Sequence, residues 1–287
     1  MDAYINLLTN GIATGMAIFL LAVGLSIIFG LMSVLNFAHG AFFMWGAYVG
    51  AWIFGLTKSF TLALTSAVLV GAIIGLVVER STISRVYGNH VSQMLLTMGL
   101  MLVLGEMVKV FWGPNILTSP LPAYLAGSWD LNGVIIIKYR LFTIIVGAAT
   151  ALAVYLILKR TRLGIIVRAG VENPEMVQAL GIDIRKVFSL VFAFGAALAA
   201  LGGAIMGPLG GSISPTMGLE NQLLAFIVVV IGGLGSFIGS LIGAILVGIT
   251  GALVSWFLPE AALAVNILLM AVVLLLRPTG LFGGSGL

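Results

Sequence analysis

The strongest constraint on this chain is a succession of long apolar runs with almost no charge inside them. They fall near residues 9–34, 40–57, 60–78, 92–112, 139–158, 187–207, 220–257 and 261–276. A helix needs about 20 apolar residues to cross the hydrocarbon of a bilayer. Charged residues make up 8% of the 287 positions, against about 25% in a soluble domain. With a mean hydropathy of +1.23, the chain lacks the charge to coat a water-exposed surface. The expected fold is an all-α integral membrane protein, a polytopic bundle of eight or nine membrane segments forming one domain over residues 1–287.

The seventh run is too long for one span. Gly232, Gly233, Gly235 and Ser236 cut it into a shorter and a fuller piece. Such breaks are tolerated at membrane depth where they are buried in protein or line a cavity, and transporters often place substrate there. The first run reads as a retained span and not as a cleavable signal, because the first basic residue is Lys58 and a signal needs a basic start.

Basic residues set the expected orientation. Lys159, Arg160, Arg162, Arg168, Arg185 and Lys186 crowd the 159–186 connection, which is expected to be cytoplasmic, as are Arg80, Arg85 and the C-terminal Arg277. The 113–138 segment, with Pro114, Pro120, Pro122 and Trp129, then faces out. Lys138 and Arg140 violate the rule mildly on that side. The side of the N-terminus depends on the count: nine full crossings put it outside, one re-entrant segment puts it inside. A net charge of +4 spread over connections orients a membrane protein and gives no nucleic-acid surface. With no cysteine, disulfides, thiolate metal sites and cysteine nucleophiles are excluded. No metal or other cofactor is expected on the chain.

Glycines recur four apart: Gly11/Gly15, Gly46/Gly50, Gly71/Gly75, Gly203/Gly207 and Gly235/Gly239/Gly243. This spacing puts both on one helix face and lets backbones approach, so the favoured reading is tight packing over substrate contact.

Residues 162–183 hold a compact helix signature. Asn173 suits the N-cap, Pro174 the first helical position, Glu175 the positive dipole end, and Gly181 a left-handed stop. Met176, Val177 and Leu180 form one stripe by their spacing. A helix this short is unstable alone in water, so the stripe must be covered by its own bundle, the lipid interface or a partner.

This segment resembles the cytoplasmic loop of permease subunits in ATP-binding-cassette importers for branched-chain amino acids, the LivH type. The likeness rests on Arg168-Ala169, Glu172-Asn173-Pro174-Glu175 and Ala179-Leu180-Gly181-Ile182. Leu25–Met32 followed by Leu35–Gly40 resembles the family's N-terminal signature. Gly232-Gly233-Leu234-Gly235-Ser236 with Gly239 and Gly243 resembles its glycine block, and Arg277–Gly283 its end. The resemblance implies pairing with a LivM-like paralogous subunit or a second copy, two ATP-binding subunits beneath, and an extracytoplasmic binding protein above. It makes the segment from Glu172 to Gly181 a coupling helix seated in an ATPase. It also implies the cytoplasmic (inner) membrane of a bacterium or archaeon. Importers of urea and short amides share these blocks, so they remain an alternative.

The chain has no G-x-x-x-x-G-K-[ST] phosphate loop and no Gly-Lys pair, so ATP is expected to be handled on separate subunits and no enzymatic centre is expected here. Candidate path residues are Asn36 and His39 at the break after the first run, with capping or packing favoured for both, and Glu220, Asn221 and Gln222 at the outer start of the seventh. For Glu220 the helix dipole is the favoured explanation. Glu106 and Lys109, one turn apart, are expected to neutralise each other. An ion-coupled secondary transporter is the competing class, but it usually needs a buried ionisable relay, and here the ionisable residues cluster at helix ends.

Overall fold

A computed structural model describes residues 2–131 and 134–283. Its helices in chain order are α1 (Asp2–Met32), α2 (His39–Thr57), α3 (Phe60–Ser81), α4 (His90–Trp112), α5 (Lys138–Arg160), α6 (Arg162–Glu172), α7 (Pro174–Ala179), α8 (Ile184–Gly210), α9 (Met217–Gly232), α10 (Phe237–Phe257) and α11 (Ala262–Leu276). Among the described residues, eight segments are long and apolar enough to cross a membrane, and α9 is an apolar helix of 16 residues. The chain is an all-α, multi-pass membrane protein. Several helices outrun their apolar runs: α1 starts at Asp2 and α8 covers 184–210, because flanking polar residues continue the helical ladder. Polar caps begin α3, α4, α8 and α10, through Ser59, Asn89, Asp183 and Ser236.

The core is α1, α2 and α8. Their apolar stretches are 83%, 67% and 72% buried, against 6% for the last span. Small residues bring these helices together. A β carbon placed on Gly46 would lie 2.1 Å from the Ala200 carbonyl oxygen, and one on Gly203 would lie 1.8 Å from that of Phe43. Gly11 and Gly15 approach Gly248, Ile249 and Ala244 of α10 in the same way, and Gly71 and Gly75 meet Ala200 and Ala196 of α8. The spaced glycines are therefore packing residues, as their period implies.

These contacts also fix the helix directions. α10 runs antiparallel to α1, α3 antiparallel to α8, and α2 parallel to α8. The long seventh run divides where the glycines imply: α9 ends at Gly232, and Gly233 and Gly235 take positive φ before Ser236 caps α10. A β carbon on Gly239 would sit 2.1 Å from the Gly232 carbonyl oxygen, so the two helices cross at glycine on glycine.

One end of the bundle collects the basic residues. There Gly170 of α6 meets Leu31 of α1, Gly235 meets Gly30, and the tail binds the end of α9 through Leu281 N–H to the Ile231 carbonyl (2.8 Å). The opposite end carries two small antiparallel pairs, β1 (Leu117–Thr118) with β4 (Ser212–Ile213), and β2 (Ser128–Leu131) with β3 (Val134–Ile137). Lys138 and Arg140 sit at this end. Lys138 lies 5.8 Å from the centre of the Trp129 ring, and Arg140 donates to the Asn6 carbonyl (3.4 Å). By these contacts the N-terminus of α1 and the C-terminal tail lie at opposite ends.

Candidate functional site

Three regions hold the residues singled out in the sequence as path or coupling candidates. The first is the break between α1 and α2, residues 33–38, which folds back into the bundle. His39, the first residue of α2, reaches the Leu21 carbonyl through Nε2 (3.1 Å), eleven residues above the end of α1. Unwound backbone inside a membrane needs substitute partners. Thr97 of α4 donates to the Leu35 carbonyl (3.4 Å), Gln222 of α9 donates to the Asn36 carbonyl (3.3 Å), and Asn36 Oδ1 accepts from the Ala38 amide (3.0 Å). Asn36, His39, Thr97, Gln93 and Gln222 are all buried. Asn36 Nδ2, His39 Nδ1, Gln93 Oε1 and Gln222 Oε1 have no hydrogen-bond partner. With Leu21 accepting, His39 Nε2 is the protonated nitrogen, which leaves Nδ1 as an unused acceptor.

The second region separates residues that are neighbours in sequence. Gln222 joins the break, while buried Asn221 turns back on its own helix, donating to the Met217 carbonyl (2.8 Å). Exposed Glu220 lines a cleft of about 780 Å³ between α1, α9, α10 and α11, with Asn10, Thr14, Ser255, Glu260 and Asn266. Asn266 is buried there with Oδ1 unpartnered. The three polar residues at the start of α9 thus face three environments, because successive helix positions lie 100° apart.

The third region is the 159–186 connection. It is not a loop up to Asn173: residues 162–172 form α6, begun by Thr161 Oγ1 accepting from the Gly164 amide (3.2 Å), and Glu172 is its last residue. Asn173 Oδ1 then accepts from the Met176 amide (2.9 Å), Pro174 opens α7, and Gly181 has φ +81°. The apolar stripe is divided. Val177 is 2% exposed and packs on the bundle, whereas Met176 and Leu180 are 58% and 74% exposed. Val177 anchors α7, while Met176 and Leu180 project freely. Asp183 follows, accepting from the Arg185 and Lys186 amides and pairing with Lys186 (3.3 Å). The Lys186 side-chain hydrogen bond holds the Asp183 carboxyl below its ordinary value.

Glu79 lies outside every sequence expectation. It is 1% exposed near the basic end of α3, and its carboxylate accepts from the hydroxyls of Tyr87 and Ser189. Burial, with the Glu79 contact added, pushes the Tyr87 hydroxyl up. The missed signal is spacing: Gly71, Gly75 and Glu79 share one inward face. Glu106 and Lys109 pair on the exposed side of α4 (2.6 Å).

A many-helix bundle with a broken second segment, a glycine-split late segment and a capped helix on its basic connection defines a membrane permease. Residues 7–276 match the family described as branched-chain amino acid transport system, permease component, and the chain belongs to that family. It is 29% identical to the high-affinity branched-chain amino acid transport system permease protein BraD of Pseudomonas aeruginosa, over 98% of this chain and 96% of that one. The corresponding protein LivH of Escherichia coli is 30% identical, with the same coverage of each chain. A probable branched-chain amino acid transport permease protein LivH of Methanocaldococcus jannaschii is 27% identical over 92% of this chain and 88% of that one.

Proposed function

We propose that this chain is the transmembrane subunit of an ATP-driven importer that moves leucine, isoleucine and valine across the cytoplasmic membrane of a bacterium or archaeon. The observation that carries the reading is α7, a capped helix anchored by Val177 that offers exposed Met176 and Leu180 from the basic end of the bundle. The positive-inside rule puts that end in the cytosol and the N-terminus outside. α7 then serves as the coupling helix, docked in one of two ATP-binding subunits that perform the hydrolysis. No cofactor is assigned to this chain. A LivM-like paralogue or a second copy completes the permease, and a binding protein delivers cargo at the opposite end.

The cleft lined by Glu220, Glu260 and Asn266 is the mouth assigned to the path. An ammonium group suits its carboxylates and the unpartnered Asn266 oxygen. Asn36, His39 and Gln222 hold the broken segment beside the path and do not grip cargo. Weak contact suits a permease, since affinity belongs to the binding protein and the membrane subunit must release. The test is uptake of labelled leucine by proteoliposomes holding this chain, its partner permease and the ATPases, supplied with binding protein. ATP-dependent uptake is expected, with urea and acetamide as competing cargo. Leucine uptake driven by an ion gradient without the ATPases would sink the proposal.

A further inference from the structure

At the basic end, the last turn of α3, residues 84–85 and the start of α8 enclose a pocket of about 440 Å³. Its rim carries Arg80, Arg85, Arg185 and Lys186, with Ser84 and Ser189 between them and Glu79 at the floor. Lys186 pairs with Asp183. Among the described residues no acidic side chain pairs with any of the three arginines. The floor carboxylate offsets one of these charges at most, and both its oxygens already accept hydrogen bonds from Tyr87 and Ser189. Set against Glu79 and Asp183, the four cations leave this rim with an excess of positive charge.

A second feature continues from this rim. Leu62, Leu69, Ile73 and Val77 stand 51%, 61%, 60% and 57% exposed along α3. By their spacing they form one stripe that runs into Arg80. The stripe covers about 27 Å from Leu62 to Arg80 at helical rise, long enough for an acyl chain. A charged rim at the end of an apolar track matches an amphiphile with an anionic head. Basic pockets between spanning helices near the cytoplasmic surface suit lipid phosphates, and arginine forks match phosphate oxygens.

We infer that this pocket holds the phosphate head of an anionic phospholipid, with Arg80, Arg85 and Arg185 on the phosphate and one acyl chain along Leu69, Ile73 and Val77. The lipid bridges α3 and α8 where Glu79 already ties them. The inference does not depend on which cargo is carried or on whether α7 docks an ATPase.

The test uses the full chain, delipidated in a nonionic detergent and titrated with dioleoyl-phosphatidylglycerol or dioleoyl-phosphatidylcholine while thermal unfolding and native mass spectra are recorded. Phosphatidylglycerol should bind at least tenfold more tightly than phosphatidylcholine and raise the unfolding midpoint. The double substitution Arg80→Gln with Arg185→Gln should raise its half-saturating concentration about thirtyfold, near fivefold per cation. Equal affinity for the two lipids, or unchanged phosphatidylglycerol affinity in a folded double variant, overturns the assignment. So does displacement of the lipid by millimolar inorganic phosphate, which would make this a site for soluble anions. The ranking of lipids on the unsubstituted chain decides the matter if the variant does not fold.

Discussion

Leu180→Asp tests whether α7 docks. In the free permease Leu180 is 74% exposed, so its replacement removes little packing and should change stability by no more than about 0.5 kcal/mol. Buried in an apolar groove of an ATPase subunit, the same side chain would stabilise the complex by about 1.5–3 kcal/mol. An aspartate forced into that groove adds a penalty of about 1–3 kcal/mol. The docked complex should therefore weaken by roughly two to four orders of magnitude. Val177→Ala is the contrasting change. Val177 is 2% exposed, so losing two methyl groups should cost the permease itself about 1–2 kcal/mol, read as a lower unfolding midpoint. The assay titrates the ATPase subunit onto detergent-solubilised permease and records unfolding of each variant in parallel. Native ATPase affinity in Leu180→Asp, with the protein folded, would refute docking through the exposed side of α7.

Four further substitutions have defined outcomes. Gly46→Val forces a β carbon to within 2.1 Å of the Ala200 carbonyl, so α2 and α8 must separate; a loss of at least about 3 kcal/mol should appear as a collapsed unfolding midpoint, and an unchanged midpoint would remove the contact. Gln222→Leu strands the Asn36 carbonyl and should cost about 0.5–2 kcal/mol, less than the same loss in a soluble core because interhelical bonds in membranes average near 0.6 kcal/mol. Thr97→Val should cost less again, since its hydroxyl also serves the nearer Gln93 carbonyl at 2.8 Å; a larger effect for Thr97 than for Gln222 would contradict the assigned partners. The Asp183 carboxyl is held below its usual 3.8 by Lys186, so its share of stability is complete above that value and fades as pH falls through the lowered one. Asp183→Asn should flatten this acid-side decline, and an identical acid profile in that variant would count against the cap.

Local chemistry was legible, and cross-helix partnership was not. Asn173, Pro174 and Gly181 announce α7 because a cap, a first-turn proline and a left-handed stop depend on a few adjacent residues. Gly232 to Ser236 announce the break for the same reason. α6 was illegible: Gly164 and the β-branched residues at 165–167 are poor helix formers, and packing overrides them. There Gly164 lies so close to the Leu158 carbonyl that a β carbon would stand 2.2 Å away, and Val167 is buried. Periodicity places Met176, Val177 and Leu180 on one stripe but cannot divide it between the bundle and the solvent. Nor can sequence pair Gln222 with Asn36, 186 positions away. Glu79 was legible in principle, from its place on the Gly71/Gly75 face.

These same contacts decide where motion could go. α7 is fixed to the bundle by Val177 and leads through Ile182 and Asp183 directly into α8. α8 is locked to α2 at Gly46 and Gly203, where backbone meets backbone, and to α3 at Gly71 and Gly75, where glycine meets the methyl groups of Ala200 and Ala196. Sliding α2 past α8 would drive carbonyl oxygens into α carbons, so these two helices hold together as one body. Compliance must lie where the ladder is already interrupted, at residues 33–38 and 233–236. Side chains hold both breaks, Thr97 and Gln222 at the first and Ser26 and Ser240 at the second, and the second packs on the end of α1 just before the first, through Gly30 and Gly235 and through Ser26 donating to the Ser236 carbonyl (3.3 Å). The unpaired polar atoms of Asn36, His39 and Gln222 fit that placement: they give the first break spare donors and acceptors for a second arrangement.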